Sequence, residues 1–386
     1  MKNIAILGST GSIGINTLDV ISSLRSRFKV DALSCYSNIE LLLKQVKSFK
    51  PRYVCVVDLK KAKEAKKRLS SKNIRFYEGK DGLLEMVNDI KLDIVIVAIV
   101  GSSALLPIMA SIKHTKRLAL ANKEALVMAG SILLEKAKAD NVEILPIDSE
   151  HNAIFQCIGS GKDTELKKIY LTGSGGPFLH MPKKHFNRIT PKEAIRHPKW
   201  RMGKKISVDS ATMMNKGLEI IEAHHLFDVP SSSIEVLVHP EAVIHSMVEF
   251  CDGSILAQLG NCDMRLPIQY ALTYPDRLSS NVQKLNFSKL PSINFYKPDI
   301  KRFPCLELAY SAARHGKTYP CVLNASNEIA VREFLKNKIR FMDIPRAIEK
   351  VLSLHKSVND PGLNNILESD NWAKEKTKEI LGAFSG

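Results

Sequence analysis

No stretch of this chain stays apolar for the ~18–20 residues that a membrane-spanning helix needs, so an integral helical membrane protein is excluded. Aromatic residues make up only 6% of it. No basic stripe carries interleaved aromatics, the pattern that lets a surface stack bases along a nucleic-acid strand. The net charge of +16 therefore does not by itself indicate a nucleic-acid module. Much of it sits in runs such as residues 60–68, Lys-Lys-Ala-Lys-Glu-Ala-Lys-Lys-Arg, which have the composition of a solvated helix face. The cysteines at 35, 55, 157, 251, 262, 305 and 321 include no C-x-x-C pair. They read as reduced thiols rather than a disulfide or zinc framework. Repeats and low-complexity tracts are absent. A strand begins directly after Met1-Lys2-Asn3, leaving no space for a signal or transit peptide, and the expectation is a cytoplasmic protein.

What is there points to a multidomain α/β chain. At 386 residues, two or three domains are expected. A short strand at 3–7 runs into Gly8-Ser-Thr-Gly11-Ser-Ile-Gly14, and helical spacing follows over 15–24. Strand, glycine-rich turn and helix make a dinucleotide cradle. Gly8 allows the tight turn, Gly11 lets the backbone approach a pyrophosphate, and Gly14 lets helix and sheet pack closely. A second strand at 30–34 leads to Cys35-Tyr36-Ser37-Asn38. NAD sites place an acidic residue there for the ribose 2′-hydroxyl, and none is present. Ser37 and Asn38 can instead donate to a 2′-phosphate, which favours NADP, and Asn38 can also cap a helix over 39–49. Further strands at 53–57, 74–77, 93–98, 117–120 and 143–147 complete a Rossmann-like parallel-sheet domain over 1–147. Asn122, Lys123 and Glu124 stand just past a strand end, where such sheets bind ligand.

The next segments carry polar chemistry. Asp148, Ser149 and Glu150 place two carboxylates two apart, which suits a hard cation such as Mg²⁺ or Mn²⁺; the alternative is that Asp148 or Ser149 caps a helix over 152–158. A strand at 168–172 is followed by Gly173-Ser174-Gly-Gly-Pro177, an anion-binding turn. The Pro-punctuated stretch 178–205 reads as a lid. It contains a capping box at Thr190-Pro-Lys-Glu193, then His197, Trp200 and Met202, of which the last two could close over an apolar ligand edge. Residues 204–219 read as a short strand, a turn with Asp209, Ser210 and Thr212 as helix caps, and a helix. Asn215, Lys216 and Glu219 share one face of that helix; the alternative is an ordinary solvated Lys–Glu pair. Strand-like runs at 234–238, 243–250 and 254–259 predict an antiparallel sheet in an α+β catalytic domain over 148–273. His239 and His245 read as structural. A linker follows over 274–301, and then a C-terminal helical bundle over 302–386 with helices at 305–314, 325–336, 343–354 and 372–381.

With its motifs at 8–14, 121–124, 146–153, 172–178, 197–203 and 206–219, the sequence resembles the 1-deoxy-D-xylulose 5-phosphate reductoisomerase family over essentially its whole length. The resemblance implies an NADPH- and divalent-metal-dependent enzyme, with Mg²⁺, Mn²⁺ or Co²⁺. It would isomerise and reduce 1-deoxy-D-xylulose 5-phosphate to 2-C-methyl-D-erythritol 4-phosphate, a step toward isoprenoid precursors, as a homodimer. It also implies site roles. Asp148, Glu150 and Glu219 are metal ligands. Ser174, Ser210, Asn215 and Lys216 hold the substrate phosphate, with His197 helping as the lid closes. Ser149 and Lys123 touch the reacting end. Thr10, Gly11, Ser12, Ile13, Asn38, Asn122, Glu124 and Gly203 line the nucleotide, with Met264 near the nicotinamide. Many members carry Gly-Lys-Asn where this chain has Tyr36-Ser37-Asn38, so the usual lysine partner of the 2′-phosphate is missing. The competing reading is a plain NADP-dependent phosphosugar dehydrogenase without rearrangement.

Overall fold

The computed structural model describes residues 1–69, 73–159, 165–200, 202–290 and 292–384. Residue 201 of the lid range, residue 291 of the linker range and residues 385–386 of the helical range lie outside the described residues. The chain divides into two compact units that interleave along the sequence.

The first unit comprises residues 1–125, 133–152 and 263–282. Its seven strands are β1 (Lys2–Leu7), β2 (Phe28–Cys35), β3 (Tyr53–Val56), β4 (Arg75–Glu78), β5 (Leu92–Val97), β6 (Thr115–Leu120) and β7 (Glu143–Pro146). They form one parallel sheet in the order β4-β3-β2-β1-β5-β6-β7. The central strands are apolar on both faces because helices cover both; Ile4 to Leu7 and Ile94 to Val97 are all buried. The order reverses between β1 and β5, which is where open α/β sheets take ligand. The return segment is an integral part of this unit. Its helix Arg265–Thr273 packs on the helix Ser12–Ser23, with Arg265 Nη1 3.0 Å from Asp19. The Arg117 guanidinium, on β6, donates to the carbonyls of Ala271, Leu272 and Tyr274 and to Glu143.

The second unit comprises residues 126–132, 153–262 and 283–386. Its strands are β8 (Leu166–Gly173), β9 (Ile234–Val238), β10 (Ile244–Phe250) and β11 (Ile255–Leu259), in the order β11-β10-β8-β9. The antiparallel expectation holds for β10 against β8 and β11, but β9 runs parallel to β8. The physical reason is the long helical crossover between them, which returns the chain to the same edge in the same direction. Four C-terminal helices are present, Pro304–His315, Tyr319–Leu335, Asp343–Leu354 and Leu363–Phe384. They share one hydrophobic core with the sheet: Leu171, Val236, Leu218, Ala309, Phe334 and Ile348 belong to a single cluster.

The strand expected at 204–208 is instead a helix, Lys204–Ala211, followed by a second, Met214–Leu226. Val208 and Ala211 bury a helical stripe, and Lys205 pairs with Asp209 at i,i+4. Asp209, Ser210 and Thr212 therefore end the first helix, and Thr212 also serves the second, its Oγ1 accepting from Met214 N. The break is made by Met213 in the left-handed region, φ 60°. Among the described residues, no helix is long and apolar enough to cross a membrane.

Candidate active site

In the first unit, the glycine turn is built as its spacing predicts. Gly8 has φ +92°, and a Cβ there would stand 2.7 Å from the Ala98 carbonyl oxygen. A Cβ on Gly14 would stand 2.5 Å from Ser9 and Gly8 backbone atoms. Ser9 and Gln45 clamp the turn with two reciprocal bonds of 2.7 and 2.8 Å. The helix Ser12–Ser23 starts at Gly11 with no side-chain cap and no acidic residue in its first turn. Its leading N–H groups thus keep their positive end for an anion. Ser37 and Asn38 are exposed just past β2, and Asn38 caps the helix Ile39–Phe49 by accepting from Leu41 N.

Asn122 is buried and does two jobs. Its side-chain oxygen caps the helix Lys123–Ala139, and its amide donates to the Ile99 and Gly101 carbonyls and to Glu124. Lys123, 5% exposed, forms an ion pair with Asp148. The helix Ser149–Ile158 starts directly after β7, earlier than the spacing suggests, and Glu150 falls in its first turn. Ser149 Oγ donates to Glu150 at 2.6 Å. Asp148 does open this helix through its carbonyl, which accepts from Asn152 N, while its carboxylate pairs with Lys123. Met264 occupies the cap position of the helix Arg265–Thr273.

In the second unit, a polar cluster forms at the C-terminal end of β8. Gly175 and Gly176 both have positive φ, +82° and +71°, and Gly176 N donates to Ser174 Oγ. A Cβ on Gly176 would meet the Ser210 carbonyl oxygen at 2.8 Å, so the turn lies directly against the end of the helix Lys204–Ala211. Lys216 runs its stem along Gly173 and places its ammonium 2.5 Å from Glu219. Glu219 is fully buried and also accepts from the Asn215 amide. The one-face spacing of these three residues thus makes a buried cluster, not a solvated pair.

His197 Nε2 lies 3.1 Å from Ser174 Oγ. Its Nδ1 accepts from the N–H groups of Lys199 and Trp200, which leaves the ring proton on Nε2 as the donor toward Ser174. Burial, with help from the Lys216 charge, pushes the imidazole down to about 4, so it is neutral at pH 7. Trp200 stands 6.2 Å from the His245 ring. The capping box at Thr190 and Glu193 is present in full. Gly203 is exposed and caps the helix Lys204–Ala211. His239 has a structural role: its ring accepts from Val243 N and Ile244 N. Two polar residues of this unit carry no motif signal. Asn327 donates to the buried Asp209, and Arg302 binds the loop after the glycine turn. Each lies more than 100 residues from its partner, beyond any local pattern.

Comparison with known proteins follows the same lines. The family model described as 1-deoxy-D-xylulose 5-phosphate reductoisomerase matches residues 4–130. Models of that family's C-terminal domains match 144–227 and 259–376. The 1-deoxy-D-xylulose 5-phosphate reductoisomerase of Acetivibrio thermocellus is 51% identical over 381 residues, covering 99% of this chain and 100% of its own. That of Ruminiclostridium cellulolyticum is 50% identical, covering 98% and 99%. A solved DOX-P reductoisomerase in complex with NADPH, fosmidomycin and magnesium is 40% identical, with a TM-score of 0.93 over 100% of this chain and 99% of its own. The Zymomonas mobilis enzyme in complex with NADPH gives 40% and 0.92, over 98% and 99%. Matched by these family models from residue 4 to residue 376, and like these relatives along its whole length, the chain belongs to the 1-deoxy-D-xylulose 5-phosphate reductoisomerase family.

Proposed function

We propose that this protein isomerises and reduces 1-deoxy-D-xylulose 5-phosphate to 2-C-methyl-D-erythritol 4-phosphate with NADPH and a divalent cation, in the supply of isoprenoid precursors. The observation that carries the reading is Lys216, a buried ammonium held between a glycine-rich anion turn and the fully buried carboxylate of Glu219. A buried ammonium beside a glycine-rich turn can hold a phosphate, and the carboxylate next to it offers a hard oxygen ligand to a cation.

Asp148, Glu150 and Glu219 would hold the cation. They fit it, because three carboxylates form the hard oxygen donor set that Mg²⁺, Mn²⁺ or Co²⁺ accepts. Asp148 and Glu219 each have a lysine as internal counter-ion, Lys123 and Lys216. Those lysines are thereby poised to turn to substrate when a cation takes the carboxylates. A bound cation would supply Lewis acidity to the ketose, and bound NADPH would supply the hydride.

The chain's own residues do the rest. Lys123 stabilises oxyanion charge as it develops, and Ser149 orients the reacting hydroxyl while Glu150 takes its proton. Lys216, Ser174, Asn215 and Ser210 bind the phosphate, and neutral His197 donates through Nε2. The phosphate does not react. Its binding energy orients the reacting end and draws closed the later part of the lid range 178–205, with Trp200 and Met202 excluding water; Phe178, Phe186, Ile189 and Ala194 anchor the earlier part in the core. Thr10, Gly11, Ser12, Ile13, Asn122, Glu124 and Gly203 line the NADPH, with Met264 near the nicotinamide, and Ser37 and Asn38 take the 2′-phosphate.

The protein acts in the cytoplasm as a homodimer, and Mn²⁺ can replace Mg²⁺. Support for the dimer comes from β11, an edge strand on which Ile255, Leu256 and Ala257 are all exposed; a bare apolar edge calls for a covering partner. The test is NADPH oxidation with the ketose phosphate, with Mg²⁺ and again with EDTA, followed by NMR of the product. Metal-dependent oxidation giving a branched tetrol phosphate supports the proposal. An unbranched reduced sugar would overturn it in favour of the plain dehydrogenase.

A further inference from the structure

The segment that follows the glycine turn is held by one side chain from far along the chain. A single Arg302 nitrogen, Nη2, donates to the carbonyls of Phe178, Leu179 and Met181, at 3.0, 3.0 and 2.5 Å. The guanidinium also packs on the rings of Phe186 and Phe303, 5.7 and 5.2 Å from their centroids. Among the described residues no carboxylate forms an ion pair with it, so its charge is met by backbone dipoles and ring faces alone. Its own position is set in turn: Arg302 N donates to the Asp299 carboxylate, and Lys183 Nζ donates to the carbonyl of Lys301. The segment at 299–302 is thus fastened to the first part of the lid range at two points.

The contacts continue from this clamp to the phosphate cluster. The gripped carbonyls belong to a turn closed by Met181 N donating to Phe178 O. Within it, the Leu179 side chain lies directly under Gly175, because a Cβ on Gly175 would meet Leu179 Cδ1 at 2.8 Å. Gly175 and Gly176 hold the left-handed backbone that aims Gly176 N at Ser174 Oγ. Arg302 fixes Leu179, Leu179 supports Gly175, and the glycine pair presents Ser174. A donor misplaced by about 1 Å can cost on the order of 100-fold in rate, so such support matters to the cluster it holds.

We propose that Arg302 is a positioning residue for the substrate's phosphate end, and that it sets the conformation of the 173–181 loop without touching substrate. The inference rests on the reading of Ser174, His197 and Lys216 as the phosphate cluster.

The experiment compares R302A and R302K with S174A and K216A in the full-length protein. It measures kcat and KM for 1-deoxy-D-xylulose 5-phosphate, the inhibition constant of inorganic phosphate, the Kd of NADPH and the melting temperature. R302A should raise both KM and the phosphate inhibition constant about tenfold or more. NADPH binding should stay within two- to threefold. R302K, which keeps the charge but is one atom shorter and lacks the planar face that packs on Phe186 and Phe303, should fall between R302A and the parent. It also carries the test if R302A does not fold. The S174A/R302K double variant should lose less than the product of its single variants, because both act through one loop. Equal losses in phosphate and NADPH affinity, or a lower melting temperature with unchanged phosphate inhibition, would overturn the assignment. If S174A and K216A also leave phosphate inhibition unchanged, the phosphate cluster itself is misassigned. If they weaken it and the Arg302 variants do not, only the inference about Arg302 fails.

Discussion

Gly173→Ala is the smallest change that moves Lys216 without removing it. The added Cβ would lie 2.7 Å from Lys216 Cε, 3.2 Å from Cδ and 3.3 Å from Cγ. Ordinary carbon–carbon contact needs roughly 3.5 Å or more. The stem cannot swing one methylene aside, because three in a row are crowded, so the ammonium must shift by about 1 Å. That shift stretches the 2.5 Å contact with the fully buried Glu219. Overpacking of this kind costs about 1–3 kcal/mol of stability, and a 1 Å error in a charged positioning group costs on the order of 100-fold in kcat/KM. Steady-state assays of the ketose phosphate, with NADPH titrations and melting curves on the same samples, would show both. The loss should fall on the phosphorylated substrate and leave NADPH affinity within about twofold. Lys216→Ala combined with Gly173→Ala should be no worse than Lys216→Ala alone, since there is then no stem to displace. Full activity in Gly173→Ala, or an additive loss in the pair, would refute the reasoning.

Other consequences can be checked on the same footing. Glu219→Gln and Asp148→Asn should each abolish metal-dependent turnover with NADPH affinity changed only a few-fold; retained turnover in either removes that carboxylate from the metal set. Gly8→Ala puts a Cβ 2.7 Å from a carbonyl oxygen at a positive-φ position, so NADPH binding should fall below detection, and normal cofactor titration would contradict the cradle. Ser37→Lys restores a cation beside the 2′-phosphate position and should raise the NADPH-over-NADH preference about tenfold, the worth of one exposed charge-assisted bond; an unchanged ratio would place the 2′-phosphate elsewhere. Burial, and to a lesser extent the neighbouring His224, push His225 down to about 4, so the fold favours its neutral form. Its contribution is complete above about pH 6.5 and is lost as pH falls toward 4, because the unfolded chain then binds a proton that the fold refuses. Between pH 7 and 5 that is roughly 2 kcal/mol of stability, and His225→Gln should flatten the pH dependence of the urea midpoint by about that much.

What could be read from the sequence was whatever depends on neighbours along the chain. The glycines at 8 and 14 announce a strand–turn–helix because close approach demands them, and the helix Ile39–Phe49 has its cap at Asn38 and its apolar period in plain view. The i,i+3 and i,i+4 spacings put Asn215, Lys216 and Glu219 on one face, and they touch. The misread segment 204–208 is short. A polar–apolar alternation of only four residues, 205–208, fits a strand as well as a helix, and burial in the surrounding core decides it. The parallel direction of β9 is not written in its residues at all, since period two is the same for either direction. Arg302 and Asn327 escaped for the same reason in another form. Their partners lie more than 100 positions away, and an arginine or asparagine without local pattern looks like any other polar residue.

The grip of Arg117 on residues 271–274 has a meaning for how the protein is made. The first unit needs residues 263–282 to complete it, and these leave the ribosome about 110 residues after Asn152. At ~5–20 residues per second, that is a delay of roughly 6–22 s. Through it, the first sheet waits with the helix Ser12–Ser23 uncovered on one side and the nearly buried Arg117 without its carbonyls. Nascent chains stalled before residue 263 should therefore be more open to proteolysis and chaperone capture than chains stalled after 282, although both contain every strand of the first sheet.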